Sequence, residues 1–156
     1  MDPTEKGRIT WKANVERIPG KAEELRDDRL AGAKSALAFA EQCEARGDFD
    51  GARQGYFAAE QCCLTYHTLT NDGAGAMLEV AHARYRDFAL NRDPVFKRCM
   101  EEVAVLLGRQ PGILQTDLYP ELSVSKEDVA YCLRFAAEAG QIRRVKKGRT
   151  YQVWNS

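Results

Sequence analysis

The sequence predicts a mainly α-helical protein that ends in a short β-hairpin. Apolar residues recur at spacings of three and four along most of the chain, which is the period of one helix face. Near the C-terminus this pattern gives way to two β-rich runs around a glycine, which is typical of a hairpin. The 156 residues suit one domain or two very small ones. We therefore expect an N-terminal helical hairpin or bundle, followed by a domain of three helices and a β-hairpin.

The N-terminal part is expected to consist of an arm and a helical region. Residues 1–20 are mixed in character, and Trp11 and Ile18 would gain by burial, so we expect an arm packed on the body. A drifting apolar stripe then predicts a first helix that ends at Gly47, a residue suited to closing a helix. Asp48 has the residue type of an N-cap and predicts the start of a second helix.

Turn and boundary signals delimit this helical region. The second helix is expected to stop near Asn71-Asp72-Gly73, which is a strong turn signal. A third helix follows and ends before Pro94, because the residue that precedes a proline disfavours the helical conformation. We therefore place a domain junction at Pro94, between a helical region of residues 21–93 and a C-terminal domain of residues 94–156.

The turn of the first helical hairpin carries a recognisable set of residues, Gly47-Asp48-Phe49-Asp50-Gly51-Ala52 followed by Tyr56 and Ala59. With this set, residues 36–66 resemble a single tetratricopeptide-type helical hairpin. The resemblance implies that Ala40 and Ala52 let the two helices approach closely and that Tyr56 fills the groove. One period of about 34 residues further on, an arginine occupies the alanine position, so no second repeat is evident. A lone unit cannot bury its face, and other helices or a second subunit must cover it.

The C-terminal domain has a readable order of elements. Its first helix is expected over residues 95–109, and a Pro-Gly pair then breaks it. After a short extended bridge, Thr116 or Asp117 can cap a brief second helix. Ser125 has the residue type that caps a third helix, and Gly140 is suited to ending it. Two β-rich runs around a further glycine complete the domain as a hairpin.

These elements carry an ordered set of residues: Leu118 and Leu122 in the second helix, Ser125 and Leu133 in the third, the exit Ala139-Gly140-Gln141-Ile142, and a basic hairpin with Gly148 at its tip. With this set, the run from Leu107 to Trp154 resembles a winged helix-turn-helix domain, a module common among bacterial and archaeal transcription regulators. The resemblance implies a three-helix core whose third helix enters the major groove of DNA. It also implies that the hairpin, the wing, touches the DNA backbone or the minor groove.

The formal net charge of zero conceals two unlike halves. Residues 1–93 hold 13 basic and 16 acidic side chains, whereas residues 94–156 hold 10 and 7. Five cations fall in one stretch without a carboxylate: Arg143, Arg144, Lys146, Lys147 and Arg149. They would repel one another without a polyanion nearby, so we expect them to contact DNA phosphates. The alternatives are a solvated basic hairpin and a hairpin that pairs with the acidic N-terminal half.

The third helix supplies the other candidate DNA contacts. Ser125, Lys126, Tyr131 and Arg134 are expected to point outward, and the last three could meet bases or phosphates. Two carboxylates at the start of this helix favour its dipole but would oppose an approaching phosphate. A regulator of modest affinity fits this mixture, and so does a winged helix that is used for protein contact instead.

The sequence thus predicts a DNA-binding protein, a transcription regulator whose winged helix binds duplex DNA through a basic wing. A symmetric homodimer on palindromic sites, formed through the helical region, is the default expectation. The alternative is an interaction or scaffold subunit, in which the helical hairpin and the winged helix dock partner proteins without sequence-specific DNA binding. A phage or mobile-element accessory factor is a third hypothesis that the sequence does not separate from these two.

Other chemistry has little support in the sequence. Glu79 and His82 lie one turn apart, as in di-iron bundles, but a second copy of the pair is missing. We find no nucleophile elbow, phosphate loop or dinucleotide motif, and we expect neither an enzyme nor a cofactor or metal. The five cysteines follow no C-x-x-C rhythm, and no signal peptide or stretch of membrane-spanning length is evident. We therefore expect a cytoplasmic protein with reduced cysteines in its core.

Overall fold

The computed structural model describes residues 2–70 and 75–156, which fall into two compact units that divide between Tyr85 and Arg86. Helices make up most of the chain, and a small three-stranded antiparallel sheet lies near its C-terminus. The expectation of a mainly α-helical protein is therefore confirmed. Pro94 is the first residue of a helix in the second unit, and Asp93 precedes it as the N-cap.

The first unit is built from long helices. They are α1 (Pro3–Glu16), α2 (Lys21–Ala45), α3 (Phe49–Thr70) and α4 (Gly75–Asn91), the last of which continues into the second unit. The N-terminal arm is thus helical, with Pro3 in its first turn, where the missing backbone donor is harmless. Trp11 of this helix packs against a core cluster of Ala33 and Cys63. The expected burial of Ile18 is wrong: it lies in the turn before α2 and is 55% exposed.

Small residues let α2 and α3 pack closely. Ala40 and Ala52 are fully buried, and a Cβ added to Gly55 would lie only 2.8 Å from the Cβ of Ala40. Tyr56 is also buried, and its hydroxyl donates a 2.8 Å hydrogen bond to Oε2 of Glu44 on α2. The helix-hairpin geometry that the small residues predict is therefore present in this unit.

The turn between α2 and α3 follows the local signals of the sequence. Gly47 has a φ of 76°, a left-handed conformation that glycine adopts without steric cost. Oδ1 of Asp48 accepts a 2.9 Å hydrogen bond from the backbone N–H of Gly51, so this carboxylate caps α3. The turn predicted at Asn71-Asp72-Gly73 lies outside the described residues.

The second unit combines helices with short strands. In chain order it contains α5 (Pro94–Arg109), β1 (Ile113–Leu114), α6 (Gln115–Leu118), a 3₁₀ turn (Tyr119–Glu121), α7 (Lys126–Glu138), β2 (Ile142–Lys147) and β3 (Thr150–Asn155). The strand order is β1-β3-β2, and both pairs are antiparallel. Apolar side chains from every layer meet in its core: Val103 and Leu107 of α5, Leu118 of α6, Val129 and Leu133 of α7, and Val153 of β3.

Most boundaries of this unit follow residue-level signals. The hydroxyl of Ser125 accepts a 3.1 Å hydrogen bond from the N–H of Asp128 and caps α7, as predicted. Gly140 follows that helix with a φ of 74°, and Gly148 turns the hairpin with a φ of 62°. The predicted cap of α6 by Thr116 or Asp117 is wrong, because both residues lie inside the helix and Leu114 precedes it. Here the strand β1 runs directly into the helix and no polar cap is used.

Candidate nucleic-acid interface

The candidate interface centres on the basic hairpin, which we define as β2, β3 and their turn. In its register Arg143 lies opposite Trp154, and Arg144 lies opposite Val153. Because side chains alternate along a strand, the cations of β2 divide between two faces. The inner face contains the fully buried Val153 and carries Arg144 and Lys146, whereas the outer face carries Arg143, Val145 and Lys147.

The inner-face cations are held on an aromatic ring. The guanidinium carbon of Arg144 lies 4.5 Å from the ring centroid of Tyr151, and Nζ of Lys146 lies 4.7 Å from it. Nη1 of Arg144 also donates to Oε1 of Gln115 at 3.4 Å, and Gln115 is itself buried. Arg144 is thus a half-buried, packed cation, stabilised by cation–π attraction as well as by its long apolar stem.

The outer face presents its cations to solvent. The Arg143 guanidinium lies over the ring of Trp154, 5.7 Å from its centroid, and the Arg143 side chain is exposed. Lys147 and Arg149 are exposed beside the turn, and Val145 stands between the cations of the outer face as an exposed apolar residue. This face and the turn therefore offer a row of positive charge that a polyanion can reach.

Gly112 and Trp154 fix the base of the basic hairpin. A Cβ on Gly112 would lie 2.6 Å from Cη2 of the Trp154 ring, and the φ of Gly112 is 78°. The N–H of Gly112 donates a 3.0 Å hydrogen bond to the carbonyl of Val153. The Trp154 ring therefore occupies the space that a side chain at position 112 would need, and Arg143 approaches the same ring.

α7 brings fewer of the expected residues to the surface. Lys126 is exposed, with Nζ 5.5 Å from the ring centroid of Tyr119, and Ser125 is exposed but engaged as the helix cap. Arg134 is partly exposed, and its Nε lies 3.6 Å from Oε1 of Glu138 one turn further on. Lys126 and Arg134 therefore remain accessible on this helix, and Arg134 is shared with a carboxylate.

The prediction that Tyr131 points outward is wrong. This side chain is 9% exposed, and its hydroxyl donates a 2.8 Å hydrogen bond to Oδ2 of Asp93. Its ring also meets Phe135 edge to face, with centroids 5.5 Å apart. A buried phenol cannot reach a DNA base, so Tyr131 is a structural residue that joins α7 to the start of α5.

Sequence reasoning missed the side chains that position this interface. Gln115, Tyr151 and Trp154 contact the cations of the hairpin, although the sequence alone does not indicate any of them as a site residue. The period-2 alternation across the two strands was a usable signal, because it places an aromatic residue beside a cation on each face. The pairing partner of Tyr131 had no such signal, since Asp93 lies 38 residues away along the chain.

The cysteines behave as core residues in this structure. All five are free; Cys43, Cys63, Cys99 and Cys132 are buried, and Cys62 is half-buried. A hydrogen bond with Cys99 and burial both raise the pKa of the Cys132 thiol, so this sulfur stays protonated at neutral pH. Among the described residues, no group of three or more His, Cys, Asp or Glu side chains is placed to hold a metal ion.

Comparisons with known protein families, with curated proteins and with solved structures give no match for this chain. Within the described part of the chain, no helix has both the length and the apolar character needed to cross a membrane.

Proposed function

We propose that the second unit is a winged helix that binds duplex DNA and that the protein is a regulator of transcription. One observation carries the proposal: a helix–strand–helix–helix–strand–strand unit ends in a hairpin that holds five cations and no carboxylate within residues 143–149. The strand order β1-β3-β2 fits this fold. The hairpin of β2 and β3 pairs, through β3, with β1, the strand that follows α5. The order of elements is the one that the resemblance to winged helix-turn-helix domains implies.

The charge distribution supports a polyanion as the ligand. Arg143, Lys147 and Arg149 are exposed on or beside the outer face of the hairpin, where a phosphate backbone can approach them. Arginine forks onto phosphate oxygens, and each phosphate that is neutralised releases condensed counterions. The affinity would therefore come from a local cationic surface, since the net charge of the whole chain is zero.

Fluorescence anisotropy with a labelled duplex tests this proposal directly. We expect binding at low salt. The logarithm of the binding constant should then fall linearly with the logarithm of salt concentration. The double variant Arg143→Ala, Lys147→Ala should weaken binding and flatten this dependence. The variant Lys97→Ala, Arg98→Ala removes the same charge from exposed positions of α5 and serves as the matched control. Failure of the protein to bind any duplex at low salt would overturn the proposal.

A second candidate function, partner docking, has support in the first unit. Phe39 of α2 is 49% exposed and Phe57 of α3 is 50% exposed, and large aromatic residues at the surface are enriched in protein interfaces. A second copy of the chain is the partner that a dimeric DNA-binding protein requires. Sedimentation equilibrium of the protein and of a Phe39→Ser, Phe57→Ser variant tests it. A monomeric mass for the unmodified protein at all concentrations would exclude this candidate.

A further inference from the structure

We infer that the basic hairpin, rather than α7, carries the binding energy, so that the ligand is duplex DNA read through its backbone and largely independently of sequence. This inference rests on the proposed DNA binding and narrows it to the backbone of any duplex, in place of the palindromic sites that the sequence alone led us to expect. Two elements would face DNA, α7 and the basic hairpin, and they differ in charge and in the side chains that they expose. Both elements belong to the second unit and are described in full.

α7 is electrostatically unsuited to entering a groove lined by phosphates. Between Lys126 and Glu138 it holds two cations, Lys126 and Arg134, against three carboxylates, Glu127, Asp128 and Glu138. Two of these carboxylates lie in the first turn, where the N–H groups of the helix would otherwise favour an anion. Approach of this end to a phosphate therefore brings carboxylate against phosphate.

α7 also offers few side chains that could read bases: Lys126 is exposed and Arg134 is partly exposed. Its buried positions take up Tyr131 and Phe135 together with the aliphatic residues, and the partly exposed residues between them include Ala130 and Ala137, which carry no hydrogen-bonding group. The commonest specific contacts in the major groove are those of Arg or Lys with guanine and of Asn or Gln with adenine. Arg134 has that chemistry, but its guanidinium lies 4.9 Å from the Phe135 ring centroid and pairs with Glu138.

The basic hairpin has the opposite properties. Four of its five cations, Arg143, Lys146, Lys147 and Arg149, are exposed, and no carboxylate lies between them in the sequence. Arg143 and Lys147 lie on the same face four residues apart, about 13 Å along the strand at about 3.3 Å per residue. Contacts of this kind reach phosphates, which are identical along any duplex and therefore fix position without reading sequence.

Two quantities follow from this arrangement. Three phosphate contacts, from Arg143, Lys147 and Arg149, predict a slope of about −2.7 for the logarithm of the binding constant against the logarithm of salt concentration, at about −0.9 per contact. Backbone contacts also predict that AT-rich, GC-rich and mixed duplexes bind with dissociation constants within about threefold of one another, whereas a base-reading protein separates specific from non-specific sites by about 1,000-fold or more.

The experiment compares three double variants that each remove two positive charges. They are Arg143→Ala with Lys147→Ala on the hairpin, Lys126→Ala with Arg134→Ala on α7, and Lys97→Ala with Arg98→Ala on α5. For the hairpin pair we expect a loss of about tenfold or more on every duplex and a salt slope that is less steep by about two. For the α7 pair we expect a smaller loss of affinity, about threefold, and for the α5 pair we expect no change in affinity. Circular dichroism of each variant checks that the fold is intact.

The outcomes distinguish failure of this inference from failure of the proposed DNA binding on which it rests. If the unmodified protein binds no duplex, the proposed DNA binding fails. If the protein binds but the α7 double variant loses as much affinity as the hairpin double variant, only the inference fails. The same holds if one duplex sequence is preferred by more than about tenfold. Selection from random duplex DNA gives an independent readout: the inference expects bound fragments without a shared motif, and a recovered consensus site would contradict it.

Discussion

The hydroxyl of Tyr131 on α7 donates a 2.8 Å hydrogen bond to Oδ2 of Asp93, and both side chains are buried. The other oxygen of the same carboxylate accepts a 3.0 Å hydrogen bond from the backbone N–H of Val95 and so caps α5. One aspartate therefore joins the start of α5 to the middle of α7. This arrangement satisfies a buried carboxylate with two donors, as its removal from water requires.

The first prediction concerns the hydroxyl of this tyrosine. Tyr131→Phe keeps the ring and its contact with Phe135 but leaves a buried carboxylate oxygen with one donor fewer. The expected loss is about 1–3 kcal/mol in the free energy of unfolding, measured by urea denaturation. Tyr151→Phe, at a half-exposed position, should change the same quantity by less than about 0.5 kcal/mol. An equal effect of the two substitutions would show that the bond to Asp93 is not specifically important.

The second prediction contrasts two glycines with similar backbone conformations. Gly112 and Gly148 both have a positive φ, at 78° and 62°, but only Gly112 has a side chain, that of Trp154, within contact distance of a new Cβ. Gly148→Ala should cost about 1–2 kcal/mol in the free energy of unfolding from backbone strain alone. Gly112→Ala should cost at least about 1 kcal/mol more, because the Trp154 ring must also move. Equal losses would indicate that the ring adapts freely.

Trp154 fluorescence, measured in a Trp11→Phe background because the chain has two tryptophans, provides a second readout for the same pair of variants. The ring lies against Gly112 in the folded protein, so Gly112→Ala should shift its emission, whereas Gly148→Ala at the hairpin tip should leave it unchanged. An unshifted spectrum for Gly112→Ala would contradict the packing that we describe.

The third prediction compares two residues of α4, His82 and Arg84, each of which pairs with a carboxylate of another helix. His82 Nδ1 lies 2.6 Å from Oε2 of Glu60, whose side chain is 2% exposed, whereas Arg84 Nη1 lies 2.8 Å from Oε1 of Glu41 with both side chains about half exposed. His82→Ala should cost about 3 kcal/mol in the free energy of unfolding, because it leaves a carboxylate buried without this partner. Arg84→Ala should cost less than about 1 kcal/mol, because solvent screens an exposed pair. Urea denaturation of the two variants in the same buffer gives the two free energies of unfolding that are compared.

What the sequence predicted correctly depends on local signals. Ser125 as a cap, Gly140 as a helix end and Gly148 as a turn were each identified because a residue type and its immediate neighbours determine the backbone there. The contacts of Tyr131 with Asp93 depend instead on how two separate helices pack, and no spacing along the chain encodes that. The predicted outward orientation of Tyr131 is wrong for this reason. The aliphatic positions of α7 indicated one buried side, whereas the helix also buries Tyr131 and Phe135.

The candidate site shows the same division. The five cations of the hairpin were found from composition, because charge without a compensating carboxylate is visible in the sequence. Their division into a packed inner face and an exposed outer face required the register of β2 against β3. The half-buried state of Arg144 follows from its contacts with Tyr151 and Gln115, which come from two other elements.

The last prediction concerns Asp87, near the C-terminus of α4. Hydrogen bonds from Arg92 and from Asn91, the latter at 2.7 Å, hold the pKa of this carboxyl below its ordinary value of 3.8, with the Arg92 bond as the larger cause. Because the pKa is lowered in the folded state, the stabilising effect is present above pH 3.8 and is lost as the pH falls through the lowered pKa. Carboxyl NMR titration should therefore show Asp87 titrating below pH 3.8 in the folded protein. Arg92→Ala should raise its pKa, Asn91→Ala should raise it by less, and Arg109→Ala at the far end of α5 should leave it in place. A pKa that does not respond to Arg92→Ala would contradict this prediction, because the Arg92 hydrogen bond would then not be the cause that lowers the pKa of Asp87.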